Sequence, residues 1–167
     1  VYGILVDANV ELGNYEEAVA MSDKMQAIKP SLESYSRASY LREIYGDYPG
    51  AIEAMKLAVK AGLPGSEPQC WSLNVLGDLY YNTGNWAAAE NAYAENLAIR
   101  PSYATSMAGL AKVETKKKNY VRALALLDSA IAIMPQPGFE EQKADVYAAM
   151  GDTKKAMDKY VEVQQLL

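Results

Sequence analysis

The chain has 167 residues, with 16 Lys and Arg against 21 Asp and Glu, a formal net charge of -5, no His and one Cys. Absence of histidine removes the commonest general base and transition-metal ligand, and a single cysteine removes any disulfide within the chain and any cysteine-built zinc site. Net acidity argues against a phosphate-binding surface, and no segment reaches the roughly 18 apolar residues that a membrane-crossing helix needs.

Taken in chain order, one pattern recurs. Ala18, Ala51, Ala89, Ala123 and Ala156 are separated by near-constant intervals, and a turn dipeptide precedes four of them: Gly13-Asn14, Gly46-Asp47, Gly84-Asn85 and Gly151-Asp152. Glycine takes the left-handed backbone that ends one helix, and Asn or Asp can cap the amides that open the next. An aromatic follows as Tyr15, Tyr48 and Trp86. A second stop comes at Pro30, Pro101 and Pro135, with Leu63-Pro64 filling that role in the second unit. The spacing therefore predicts five helical hairpins over residues 1–31, 32–66, 67–103, 104–136 and 137–167.

Two places depart from the pattern. Lys118-Asn119 replaces Gly-Asn in the fourth unit, which predicts a looser or differently shaped turn. Between the second and third units, residues 62–68 form a longer loop that ends in a predicted capping box, Ser66 with Gln69. We read it as an inserted loop, not a domain boundary.

The third unit reads Leu73, Leu76-Gly77, Tyr80, Gly84, Trp86, Ala89, Tyr93 and Pro101. On these residues the chain resembles the tetratricopeptide repeat family. The resemblance implies an all-α fold, a right-handed superhelical solenoid of five stacked helix-turn-helix repeats forming a single array. Pattern physics agrees: Leu73, Leu76, Gly77 and Tyr80 share one helix stripe, and hairpins this short need burial against their neighbours. Tyr2, Tyr35, Tyr80 and Tyr147 fall on packing positions of the first helices, and Tyr15, Tyr48, Tyr93, Tyr120 and Tyr160 on those of the second.

The start at Val1, inside a predicted helix, leads us to expect part of a longer protein. Val161, Val163, Leu166 and Leu167 end the last helix without a polar capping helix, so a homo-oligomer through that end is an expectation.

No catalytic constellation emerges. Cys70 has no evident activating base, the glycines are isolated at turns, and Glu16-Glu17 and Glu140-Glu141 are adjacent and point in different directions on a helix. We expect no enzyme, no cofactor and no metal. Lys116-Lys117-Lys118 closes a helix, where cations favour the dipole, so no nucleic-acid partner is expected either. Residues 1–103 carry 7 basic and 13 acidic side chains, and residues 104–167 carry 9 and 8.

By the resemblance, the first helix of each repeat lines a concave groove that receives a peptide or partner helix. The groove stripe comprises Ser36, Tyr40 and Glu43, with Glu33, in the second repeat. The third supplies Trp71, Asn74, Asp78, Tyr81 and Asn82, and the fourth Lys112, Thr115 and Lys116, with Thr105 and Ala108. Gly3, Asp7, Val10 and Glu11 extend the stripe in the first repeat, and Glu141, Asp145 and Ala148 in the fifth. Tyr40 and Tyr81 are not required by packing, and with Trp71 they would put three aromatics on the concave wall, where such side chains are enriched in partner sites. A family subgroup grips carboxylate tails with Lys, Asn and Arg; here Asp7, Ser36, Tyr40 and Asp78 stand instead, which disfavours that ligand. The expected function is a non-enzymatic interaction module or scaffold whose partner presents a basic or polar protein segment, without membrane insertion. The alternative is an architectural or sensory array packing against its own missing domains or a second copy.

Overall fold

The computed structural model describes residues 1–165. Among them are ten α-helices and no strand: α1 (Tyr2–Glu11), α2 (Tyr15–Ile28), α3 (Leu32–Ile44), α4 (Tyr48–Ala61), α5 (Glu67–Asn82), α6 (Trp86–Ile99), α7 (Ala104–Lys116), α8 (Tyr120–Ile133), α9 (Pro137–Ala149) and α10 (Thr153–Gln164). Each predicted hairpin segment thus holds two helices, and the chain is all-α. The helices form two compact units, Val1–Gly84 and Asn85–Leu167.

Within unit 1, α1 packs on α2 and α3, α3 on α4, and α4 on α5. Val6, Ala18 and Leu41 form a buried cluster that Val10, Val19 and Met21 flank. Met55, Leu73, Leu79 and the single cysteine, Cys70, are fully buried in the same unit. Unit 2 packs α6 on α7, α7 on α8 and α9, α8 on α9, and α9 on α10. Its core holds Ala108, Ala111, Ala123, Leu127, Phe139 and Val146.

The five recurring alanines are all buried, at 0% exposure for Ala18, Ala51, Ala89 and Ala123 and 4% for Ala156. In a close-packed interior a larger side chain at such an enclosed position would need its neighbours to move, which accounts for a small residue marking the period. Close approach also explains Gly109 on α7: an added Cβ would lie 2.4 Å from the Tyr93 ring. Tyr93 is itself fully buried. Beside it in the same core, Asn96 donates from Nδ2 to Ser106 Oγ at 2.8 Å.

Tyr15 and Tyr48 do not join the cores that their pattern positions suggested, being 41% and 40% exposed. Each opens its helix, where one side of the ring has no neighbouring turn to cover it. Tyr15 instead meets the edge of Tyr45, with ring centroids 6.5 Å apart.

Turns follow the dipeptides closely. Gly13, Gly46, Gly84 and Gly151 have φ between 76° and 81°. Lys118 adopts φ 63°, and its amide donates to the Thr115 carbonyl at 3.0 Å while Asn119 donates to the Glu114 carbonyl at 2.9 Å. Gly46 and Asp47 make the equivalent bonds to Glu43 and Arg42. The fourth turn is therefore built like the others and not looser, because a buried carboxylate beneath it supplies extra ties. Glu114, 1% exposed, accepts from Asn119 Nδ2 at 2.8 Å and lies 3.7 Å from Arg122 and 3.9 Å from Lys117.

Capping is less uniform than the dipeptides imply. Asp47, Asn85 and Asp152 accept from the amides of Gly50, Ala88 and Lys155, whereas Asn14 and Asn119 cap nothing and turn back toward the preceding helix. At α5, Ser66 Oγ accepts from the Gln69 amide, but Gln69 Oε1 accepts from the Gly65 amide at 2.8 Å, one residue earlier than a reciprocal box requires. Gln69 also donates to the Val59 carbonyl, tying the inserted loop to α4.

Candidate partner-binding site

Unit 1 brings together five of the groove residues read from the sequence, one of them Asp7 of α1. Ser36, Tyr40 and Glu43 on α3 and Trp71 on α5 line a cleft of about 520 Å³ whose floor includes Met55 and Val75. Tyr40 is 53% and Trp71 46% exposed, so two aromatic faces stand in solvent beside an apolar floor. Glu43 is half-buried and forms no ion pair with a described residue. Ser36 is less available, being buried and donating to the Glu33 carbonyl at 3.3 Å.

Arg37 was not anticipated, and it changes the electrostatics. Its Nε and Nη2 donate to the two oxygens of Asp7 at 2.8 and 2.7 Å, joining α3 to α1, and its Nη1 donates to the Glu33 carbonyl. Hydrogen bonding to Asp7 raises the guanidinium pKa above its ordinary value against an opposing effect of burial. Asp7 therefore enters the cleft already neutralised. Glu43 is left as the uncompensated charge of its lining. A sequence signal existed: Asp7 and Arg37 lie one repeat less one helical turn apart, which aligns opposite charges on adjacent first helices.

The remaining α5 residues lie along the same helix without lining the cleft. Asn74 donates to Asp78 at 3.1 Å, one turn further on; Tyr81 is half-buried and Asn82 exposed. In unit 2, Lys112 and Thr115 are half-buried on α7, and Thr115 donates to the Ala111 carbonyl at 2.7 Å. Lys116 extends over Trp86 at 5.9 Å from the ring centre, at the hairpin end. Lys117 pairs with Glu90 at 2.6 Å, and Lys118 occupies the turn, so the three lysines go to three different places. On α9, Asp145 accepts from the Tyr160 hydroxyl at 2.5 Å, and that bond pushes the phenol up to about 12. Met157 and Val161 of α10 are exposed; Leu166 and Leu167, part of the expected oligomer contact, lie outside the described residues.

Among the described residues no helix is long and apolar enough to cross a membrane. Residues 74–136 match the tetratricopeptide repeat. A tetratricopeptide repeat protein from Parabacteroides merdae superposes with a TM-score of 0.85 over 98% of this chain and 63% of its own, at 19% identity. BtubC (BKLC) from P. vanneervenii superposes at 0.81 over 98% of this chain and 77% of its own, at 20% identity. In sequence, the uncharacterized protein ycf37 of Pyropia yezoensis is 32% identical over 60 residues, 36% of this chain and 34% of that protein. The chain thus matches about a third of the length of that curated relative. The fold is that of tetratricopeptide repeat proteins, which are generally non-catalytic and typically mediate contacts between proteins.

Proposed function

We propose that this protein is a non-enzymatic interaction module whose unit 1 cleft receives an extended, cation-bearing segment of a partner protein. One observation carries this reading: Tyr40 and Trp71 stand exposed over one apolar-floored cleft beside Glu43, whose charge no described side chain neutralises. Rigid aromatics with a polar tip lose little conformational freedom on binding, and a lysine or arginine stem lies along such rings with its cation near the carboxylate. The Asp7–Arg37 pair does not compete for that cation, because its partners satisfy each other.

Trp71 and Trp86 are the two tryptophans of the chain, so Trp86→Phe leaves Trp71 as a single fluorescent reporter. Peptides selected on the protein from a random display library are expected to shift the Trp71 emission. Tyr40→Ala and Glu43→Gln should each weaken those peptides about tenfold while melting stays unchanged. Undiminished affinity in both variants sinks the cleft as the binding site.

A further inference from the structure

A second cleft in unit 1, of about 450 Å³, opens between α2 and α3 and shares no lining residue with the first. Its α2 wall carries Glu16, Val19, Asp23 and Gln26, spaced three, four and three apart, and hence on one stripe of the helix. Apolar surface comes from Val19 together with Ala38 and Leu41 of α3, which are 8% and 3% exposed. Ser22 lines the same cleft at 2% exposure, and its buried Oγ has no hydrogen-bond partner among the described residues. A buried hydroxyl left in that state is free to accept from a donor as well as to donate, and folded proteins satisfy nearly all such groups.

The charges at the rim narrow what the donor is. Asp47 is committed to the Gly50 amide at 3.0 Å, and Arg42 to the Gly50 carbonyl at 2.9 Å. Glu16 and Asp23 form no ion pair or side-chain hydrogen bond with any described residue, and Tyr45, 57% exposed, completes the wall. Two uncompensated carboxylates, an aromatic face, a buried acceptor and an apolar trough suit a cation on a methylene stem and disfavour an anion or a purely apolar group.

We propose that this cleft binds a primary alkylammonium group, which donates to Ser22 Oγ and is neutralised by Glu16 and Asp23, with its methylenes on Val19, Ala38 and Leu41. A free aliphatic diamine and a lysine side chain present the same chemistry. The site is independent of the Tyr40 and Trp71 cleft, so either can fail without the other.

The test titrates ¹⁵N-labelled protein with 1,5-diaminopentane, with a short peptide bearing one lysine, and with 1-pentanol as the neutral control. Saturable shifts of the Val19, Ser22, Asp23 and Leu41 amides are expected from one or both amines and not from the alcohol. Tighter binding of the diamine assigns the site to a free amine, and tighter binding of the peptide to a partner's lysine. Glu16→Gln and Asp23→Asn together should weaken binding at least tenfold, and Ser22→Ala several-fold. Ser22→Ala removes no bond that the fold uses, so it separates binding from folding. Equal binding by pentanol, indifference to the double carboxylate variant, or no saturable shift with either amine overturns the proposal.

Discussion

Lys118 holds a left-handed backbone that the other hairpin turns give to glycine. A side chain at φ 63° crowds its own carbonyl and costs about 1–2 kcal/mol, of which glycine's extra unfolded-state freedom returns about half. Lys118→Gly should therefore raise the stability of the protein by about 0.5–1 kcal/mol, read as a higher urea midpoint at unchanged slope. An unchanged or lower midpoint would mean that Lys118 makes a contribution beyond its backbone. The sequence made this position visible but not its outcome, because Glu114 looks like one more charged residue until its burial under the turn is seen. Arg37 is the same lesson in the site. Nothing in the local pattern distinguishes an arginine held by Asp7 from one in solvent, so Asp7 read as a free groove acid.

Helix identity and number were legible because the signals are local: a buried alanine recurs in each segment, with a glycine turn in four of the five and a proline stop in four. Side-chain caps were legible only in part, since Asn14 and Asn119 find partners on the preceding helix that compete with the amides ahead of them. Contacts between helices were least legible, and the α9–α10 pair shows one with a titratable signature. The Tyr160 hydroxyl donates to Asp145, and Lys159 spans to Glu140 at 3.2 Å. The hydrogen bond to Asp145 holds the phenol proton, and burial and the carboxylate's charge act in the same direction, which raises its pKa from 10.0 to about 12. A raised folded value means that this link contributes fully below pH 10 and is lost as pH rises toward 12. In an ultraviolet titration of tyrosinate, Asp145→Asn should shift the ionisation of one phenol to lower pH relative to the unsubstituted protein. A titration curve that Asp145→Asn leaves unchanged would assign the shift to another cause.

The whole molecule carries its charge unevenly. Residues 1–84 hold 6 basic and 11 acidic side chains, and residues 85–167 hold 10 of each, so the entire net charge of -5 resides in unit 1. Both clefts described above lie in that unit, and each presents at least one carboxylate without a cation. A field of this sign concentrates cationic segments near the surface before any contact forms, an effect on association rate that salt screens over about 10 Å at ~0.1 M. For a cationic peptide selected on the Tyr40 and Trp71 cleft, the association rate should fall several-fold between ~0.05 and ~0.5 M salt, with dissociation changing much less. Placement of the charge supplies the control. Glu43→Lys in unit 1 should slow association and flatten its salt dependence, whereas Glu162→Lys on α10, a change of equal size, should leave both nearly as they were, because it lies outside the unit that holds the net charge. Equal slowing by the two variants would show that overall charge and not the unit 1 field draws the partner in.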